Sequence, residues 1–154
     1  MSPRFRTHIA RAVMFAAAAS FLPTAMAQSS PTTPLTAAGV EVVSVQQAQA
    51  LIGKAAFFDM RSAVNYGKGH IKGAVALPYD QKSELVEAFD SSKDKFDMSQ
   101  LPADKSAAVV FYSDGPNGWK SYKAARLASQ AGYKNVKWLR EGTAGWTAKG
   151  LNLD

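Results

Sequence analysis

The chain has 154 residues, 18 basic side chains against 12 acidic ones, and no cysteine. That length suits a single domain with its own apolar core. Without cysteine no disulfide can form, so the core alone must stabilise the fold even in an oxidising compartment. The lysines are scattered singly, as on an ordinary solubilising surface, and no nucleic-acid partner is expected.

Residues 1–11 carry Arg4, Arg6 and Arg11 with no acid, and residues 12–22 are small or apolar apart from Ser20. Pro23 breaks this run, and Ala25-Met26-Ala27 supplies the small-x-small pattern of a cleavage site. A basic start, a short apolar stretch and such a site define a secretory signal peptide over residues 1–27. The apolar run is too short to span a bilayer, which takes roughly 20 residues. No cysteine follows it to carry a lipid, so no stable membrane anchor is expected after cleavage. Removing the three arginines leaves 15 basic against 12 acidic residues, a net charge of +3. The expected location is periplasmic or secreted.

Residues 28–39 are rich in Ser, Thr, Pro and Ala and read as a flexible N-terminal arm. The folded domain is expected over residues 40–154. Val40-Glu41-Val42-Val43 suits a short strand. Ser44 with Gln47 makes a capping box, Val45, Ala48, Leu51 and Ile52 share one helical face, and Gly53 closes that helix. Residues 55–60 form an apolar run ending in Asp59-Met60, and residues 75–78 another, stopped by Pro78; both suit buried parallel strands. Residues 82–89 have helical spacing, and 90–105 read as a polar surface loop with one helical turn around Ser99. Residues 107–112 are the clearest buried strand. A helix from Trp119 or Ser121 to Ala131 follows, with Gly132 just past its end. Residues 136–139 are the last strand and 143–149 a final short helix. Strands alternating with helices imply an α/β fold, a parallel sheet covered on both faces.

Two stretches carry a more specific pattern. Asp59-Met60-Arg61-Ser62 is followed by Gly69-His70-Ile71-Lys72-Gly73-Ala74. Later come Gly132-Tyr133-Lys134-Asn135-Val136 and Glu141-Gly142 with Trp146. In this order the blocks resemble the signature of rhodanese-like domains, over residues 40–151. The resemblance implies a three-layer fold with a five-stranded parallel sheet, and an active site on the loop after the fourth strand. It also implies a sulfurtransferase scaffold within sulfur metabolism.

That loop is Ser113-Asp114-Gly115-Pro116-Asn117-Gly118-Trp119-Lys120-Ser121. It leaves the C-terminal end of a parallel strand, where ligands bind in open α/β sheets. It runs into a helix N-terminus, whose unpaired N–H groups and dipole attract anions. Two glycines, a proline and an asparagine let the backbone curl so that amides turn inward, and Lys120 adds positive charge at the rim. The loop is therefore read as a cradle for a sulfur- or phosphorus-based oxyanion. Asp114 opposes this by repelling an anion.

The family's cysteine, which carries sulfur as a persulfide, is replaced by Ser113. A serine cannot form a persulfide, and no other thiol exists to substitute. The loop is also longer than the usual form. It resembles an exported subgroup with a C-N-G-P-x-C-W-K-S-Y-K-A loop, matching at Gly115, Pro116, Trp119, Lys120, Ser121, Tyr122, Lys123 and Ala124; both of that pattern's cysteines are absent, at Ser113 and Gly118. Asp59 and Arg61 are candidate pocket support, or else an ion pair tying the strand end to a neighbouring loop. His70, the one histidine after the signal peptide, is read as a structural hydrogen-bonding group. It leaves no metal site, and no cofactor is implied. The expected function is a sulfurtransferase-inactive module that binds a small oxyanion, a sulfur compound or a periplasmic protein. The alternatives are a serine-based phosphate or sulfate ester hydrolase using Ser113, Lys120 and Asp114, and a sulfurtransferase relative whose activity was lost recently.

Overall fold

A computed structural model of the chain describes residues 29–154, so the expected signal peptide over residues 1–27 lies outside the described part. Strands Glu41–Val42 (β1), Ala56–Asp59 (β2), Val75–Ala76 (β3), Val109–Tyr112 (β4) and Val136–Leu139 (β5) form one sheet. Its order is β1-β5-β4-β2-β3 and every neighbouring pair is parallel. This is the five-stranded parallel sheet that the resemblance implied. The helices are Val45–Leu51 (α1), Ala63–Gly67 (α2), Trp119–Gln130 (α3) and Gly142–Ala148 (α4).

Alternation along each strand sends side chains to both faces. Phe58, Val109, Phe111, Val136 and Trp138 pack with Tyr122, Ala125 and Ala128 of α3. Phe57, Val110, Tyr112 and Leu139 pack on the other face with Val45 and Ala48 of α1 and Trp146 of α4. All four residues of β4 are buried, which is why that strand reads as an unbroken apolar run. At α1 the capping box closes as expected: Gln47 N–H donates to Ser44 Oγ (3.2 Å) and Ser44 N–H to Gln47 Oε1 (2.8 Å).

Residues 82–89 do not form the expected helix. Tertiary contacts capture their backbone instead. The amides of Lys82 and Ser83 each donate to Asp94 Oδ1 at 2.7 Å, while Ser83 Oγ and Tyr79 Oη donate to Asp94 Oδ2 at 2.6 and 2.8 Å. Lys123 Nζ, fully buried on α3, donates to Ser83 Oγ (2.6 Å) and lies 3.5 Å from Asp94. The segment trades helical bonds for a buried ion pair that fastens it to α3.

The arm also departs from expectation. Thr33 and Ala37 are buried, at 3% and 7% exposure, whereas Leu35 is 75% exposed. Ala37 joins the core, and residues 30–34 are seated by hydrogen bonds made by Thr33 and by side chains that donate to their carbonyls. The arm's composition reads as mobile because an extended Pro-Thr-Thr-Pro stretch has no internal partners for its carbonyls. Here other parts of the chain supply the partners.

Burial pushes the Asp94 carboxyl up, but hydrogen bonds from Ser83, Lys82 and Tyr79 outweigh it and hold it at about 2, below its ordinary 3.8. Burial lowers the Lys123 ammonium, against the pull of Asp94. A depressed carboxyl contributes stability that is complete above the unfolded value and lost as pH falls through the folded one. Denaturant unfolding should therefore show stability falling between about pH 4 and pH 2, with a shallower fall in Asp94→Asn. Asp94→Ala strands a buried ammonium and should cost about 3 kcal/mol or more. Lys123→Met should cost less, because Asp94 keeps its other donors.

Candidate functional site

The chain leaves β4 at Tyr112, turns through residues 113–118 and enters α3 at Trp119. Ser113, the first residue of the turn, is 2% exposed, and its Oγ is buried with no hydrogen-bond partner. Gly118 lies directly over it: a Cβ there would sit 2.9 Å from Ser113 Cβ and 3.1 Å from Ser113 Oγ. Gly118 N–H donates to Gly115 O (2.7 Å) and Trp119 N–H to Asn117 O (3.1 Å). Two of the amides expected to face a ligand are thus engaged within the turn itself. On its outer side, Asp114, Gly115, Pro116, Asn117 and Gly118 line an open concavity of about 440 Å³.

The turn is held from behind by α4. Thr143 N–H donates to Ser113 O (3.0 Å) and Ala144 N–H to Asp114 O (2.9 Å). This close approach needs glycine at position 142, where φ is +56°. A Cβ there would strike Ser113 O and come within 2.7 Å of Gly115 N. The turn is held in front by the N-terminal segment. Thr33 gives both its N–H (2.8 Å) and its Oγ1 (2.6 Å) to Pro116 O. Asn117 Nδ2 donates to Ser30 O (2.9 Å) and Trp119 Nε1 to Pro31 O (2.7 Å). Arg140, at the end of β5, grips the same segment through Pro34 O (2.9 Å) and Thr33 O (2.8 Å).

The expected site residues divide into two groups. Ser113, Gly115 and Gly118 meet at the turn, with Asp114, Pro116 and Asn117 exposed around it and Lys120 half-buried in the first turn of α3. Ser121 does not serve as an anion ligand, because its Oγ donates to Gly118 O (3.1 Å) and accepts from Trp138 Nε1 (3.0 Å). Trp119 is 5% exposed and packs edge-on against Tyr122, which packs edge-on against Trp138. It connects the turn to the core rather than walling the concavity.

Asp59 and Arg61 are an ion pair. Arg61 Nη2 reaches Asp59 Oδ2 at 2.6 Å and Gly69 O at 2.6 Å, so the end of β2 is tied to the 69–74 loop. Burial lowers the Arg61 guanidinium, but the bond to Asp59 and the charges of Asp59 and Asp114 outweigh it and leave it raised. The Tyr112 phenol is raised chiefly by burial and then by Asp59, so it stays neutral and accepts from Ile71 N–H (3.1 Å). His70 stacks on Tyr66 with ring centroids 3.8 Å apart and pairs its backbone with Asp154 in both directions.

Thr33, Arg140 and Thr143 escaped the sequence reading. Nothing local marks them, since each acts across more than 25 positions of sequence. Gly142 was legible as part of the Glu141-Gly142 block, though not as the seat of the turn.

With this geometry in view, the comparisons with known proteins are direct. The profile of the rhodanese-like domain matches residues 44–149. The chain belongs to the rhodanese-like domain family. It is 32% identical to the uncharacterized protein YibN of Escherichia coli K12 over 117 residues, 74% of this chain and 72% of that one. Its fold is similar to the rhodanese-like domain of the Anabaena Alr3790 protein, at 25% identity and a TM-score of 0.52 over 73% of this chain and 76% of that one. It is also similar to a thiosulfate sulfurtransferase from Pseudomonas aeruginosa, at 25% identity and a TM-score of 0.52. That match covers 75% of this chain but 20% of the other.

Replacing Gly142 by alanine adds a clash to a left-handed backbone and should cost about 3 kcal/mol in chemical denaturation. Gly118→Ala keeps an ordinary φ but sets a Cβ 2.9 Å from both Gly115 O and Ser113 Cβ, and should cost about 2 kcal/mol.

Proposed function

We propose that the mature chain is an exported rhodanese-like module that binds a small oxyanion or sulfur compound at the 113–118 turn and does not transfer sulfur. The observation that carries this reading is Ser113 Oγ: a buried hydroxyl without a partner, at the head of the loop that enters α3. A buried polar atom left unpaired costs about 1–3 kcal/mol, so a ligand oxygen that pairs with it gains on binding. The first turn of the 12-residue α3 adds its dipole end, and Lys120 adds a full charge. The residues from Gly115 to Ala124 support a likeness to the exported subgroup whose loop carries two cysteines, at the positions of Ser113 and Gly118 here. Secretion is supported by the basic start, apolar stretch and Ala-Met-Ala site of residues 1–27.

The chemistry agrees with the composition. A persulfide needs a thiol, and the chain has none. A serine nucleophile needs a base within hydrogen-bond reach, and Ser113 Oγ contacts no such group among the described residues. That disfavours ester hydrolysis at this position. The Asp114 carboxylate, exposed on the rim, limits affinity for a dianion and tunes it.

Sulfate and thiosulfate titrations of the mature chain, followed by amide chemical shifts, test the reading. Shifts should centre on residues 113–121, saturating in about the millimolar range. Ser113→Ala should weaken binding about tenfold, the loss of one hydrogen bond to a charged group. Asp114→Asn should tighten it about threefold by removing a screened like charge. Thiosulfate:cyanide turnover should be absent. Turnover from pure protein, or shifts confined to residues away from the turn, would exclude the proposal.

A further inference from the structure

Resting on the reading of the 113–118 turn as the ligand site, we propose that residues 30–34 form a strap that keeps this turn closed over Ser113, so that release of the strap admits ligand. The strap is a segment of this chain whose main-chain carbonyls are taken by Asn117, Trp119 and Arg140.

Ser113 Oγ is out of reach of solvent because Gly118 covers it, and the cover is the turn closed by the Gly118-to-Gly115 hydrogen bond. A ligand reaches the hydroxyl only when that turn opens. Opening it displaces Pro116 and Asn117, the residues between the two glycines. Those are the residues the strap holds, through both Thr33 donors on Pro116 O and through the Asn117 amide on Ser30 O. The next residue, Trp119, is held through Pro31 O. The other edge of the strap is clamped by Arg140, whose guanidinium donates to two successive carbonyls. α4 holds Ser113 O and Asp114 O from behind, so the front is the side left to move.

The strap is held by polar bonds more than by apolar burial. Ser30, Pro31 and Thr32 are exposed, Thr33 is buried and makes its contacts through hydrogen bonds, and Leu35, just past the strap, projects into solvent. Segments with few apolar contacts open at lower free-energy cost than the core. Its two prolines pre-set an extended backbone with outward carbonyls, the conformation that indole donors read in proline-rich ligands. Because the strap is tethered to the domain, its effective concentration at the turn is about millimolar or higher, and it sits across the turn by default.

The absence of native thiols provides a clean test. In the mature chain bearing Ser113→Cys, residue 113 is the single thiol, and its alkylation by neutral iodoacetamide reports access without requiring anion binding. The rate should be far below that of the urea-unfolded chain. It should rise about tenfold or more when Thr33→Pro removes both donors to Pro116 O, and likewise when Arg140→Gln removes the clamp. If Thr33→Pro unfolds the chain, Arg140→Gln decides alone. Hydrogen exchange of the unsubstituted protein gives a second readout: the Thr33 and Gly118 amides should exchange at matched rates. Unchanged alkylation in a folded loosened variant, or a Gly118 amide exchanging much faster than Thr33, overturns the strap. Strap-dependent alkylation without sulfate binding would retain the strap and remove the anion reading.

Discussion

Two backbone hydrogen bonds, from Thr143 and Ala144 to the carbonyls of Ser113 and Asp114, fix the point on which the candidate site depends. They join the N-terminus of α4 to the loop leaving β4, and they satisfy helix-end amides that would otherwise lack partners. The approach is possible because position 142 has no Cβ and adopts a left-handed backbone. With α4 in place, the loop cannot relax backwards. It closes on itself through Gly115 and Gly118, and Ser113 is buried beneath it. The parallel sheet makes this meeting inevitable in outline, since β4 and β5 are neighbours whose C-terminal ends both open on the same edge.

The rest of that edge is tied by polar contacts chosen to suit burial. Arg61 spans from Asp59 to Gly69 O, and Lys123 spans from α3 to Asp94 and Ser83. In each case the charge is paired with a carboxylate and also donates to a backbone carbonyl, which lowers the cost of burying it. Ser113 Oγ is buried without a partner, as are Gln81 Oε1 and Arg126 Nε among the described residues, and it is the one of these that lies at the head of the turn. The surrounding structure pairs the charges of this edge and leaves that hydroxyl unpaired. That contrast, more than any single loop residue, directs attention to the turn.

The absence of any thiol limits the chemistry open to this loop. A serine hydroxyl with no base beside it is neither a sulfur acceptor nor an activated nucleophile, yet it still donates and accepts hydrogen bonds. The aromatic series Trp119, Tyr122 and Trp138 continues to anchor the turn to the core. Ser121 Oγ joins the turn at Gly118 O to the indole of Trp138. The loop therefore holds no thiol, yet it is tied firmly to the core.

Much of the fold was legible in the sequence, because the information lies within a few residues of where it acts. The buried run of β4, the Ser44–Gln47 capping box and the glycine past α3 each express a local rule, and the structure repeats them. The absence of sulfur transfer by a thiol follows from composition alone. What failed to read locally acts at a distance. Residues 82–89 have helical spacing, but Asp94 and Lys123 draw their backbone into another arrangement. Residues 30–34 have the composition of a mobile arm, but Pro116, Asn117, Trp119 and Arg140 supply the partners that an extended proline-bearing backbone lacks on its own. The sequence by itself determined the parallel α/β sheet, the position of the loop between β4 and α3 and the absence of a thiol. Tertiary structure alone decided that the loop is shut, with Ser113 beneath it and the N-terminal segment across it. Hydrogen-bond partners more than eighty positions apart in the chain leave no periodicity for a sequence to show.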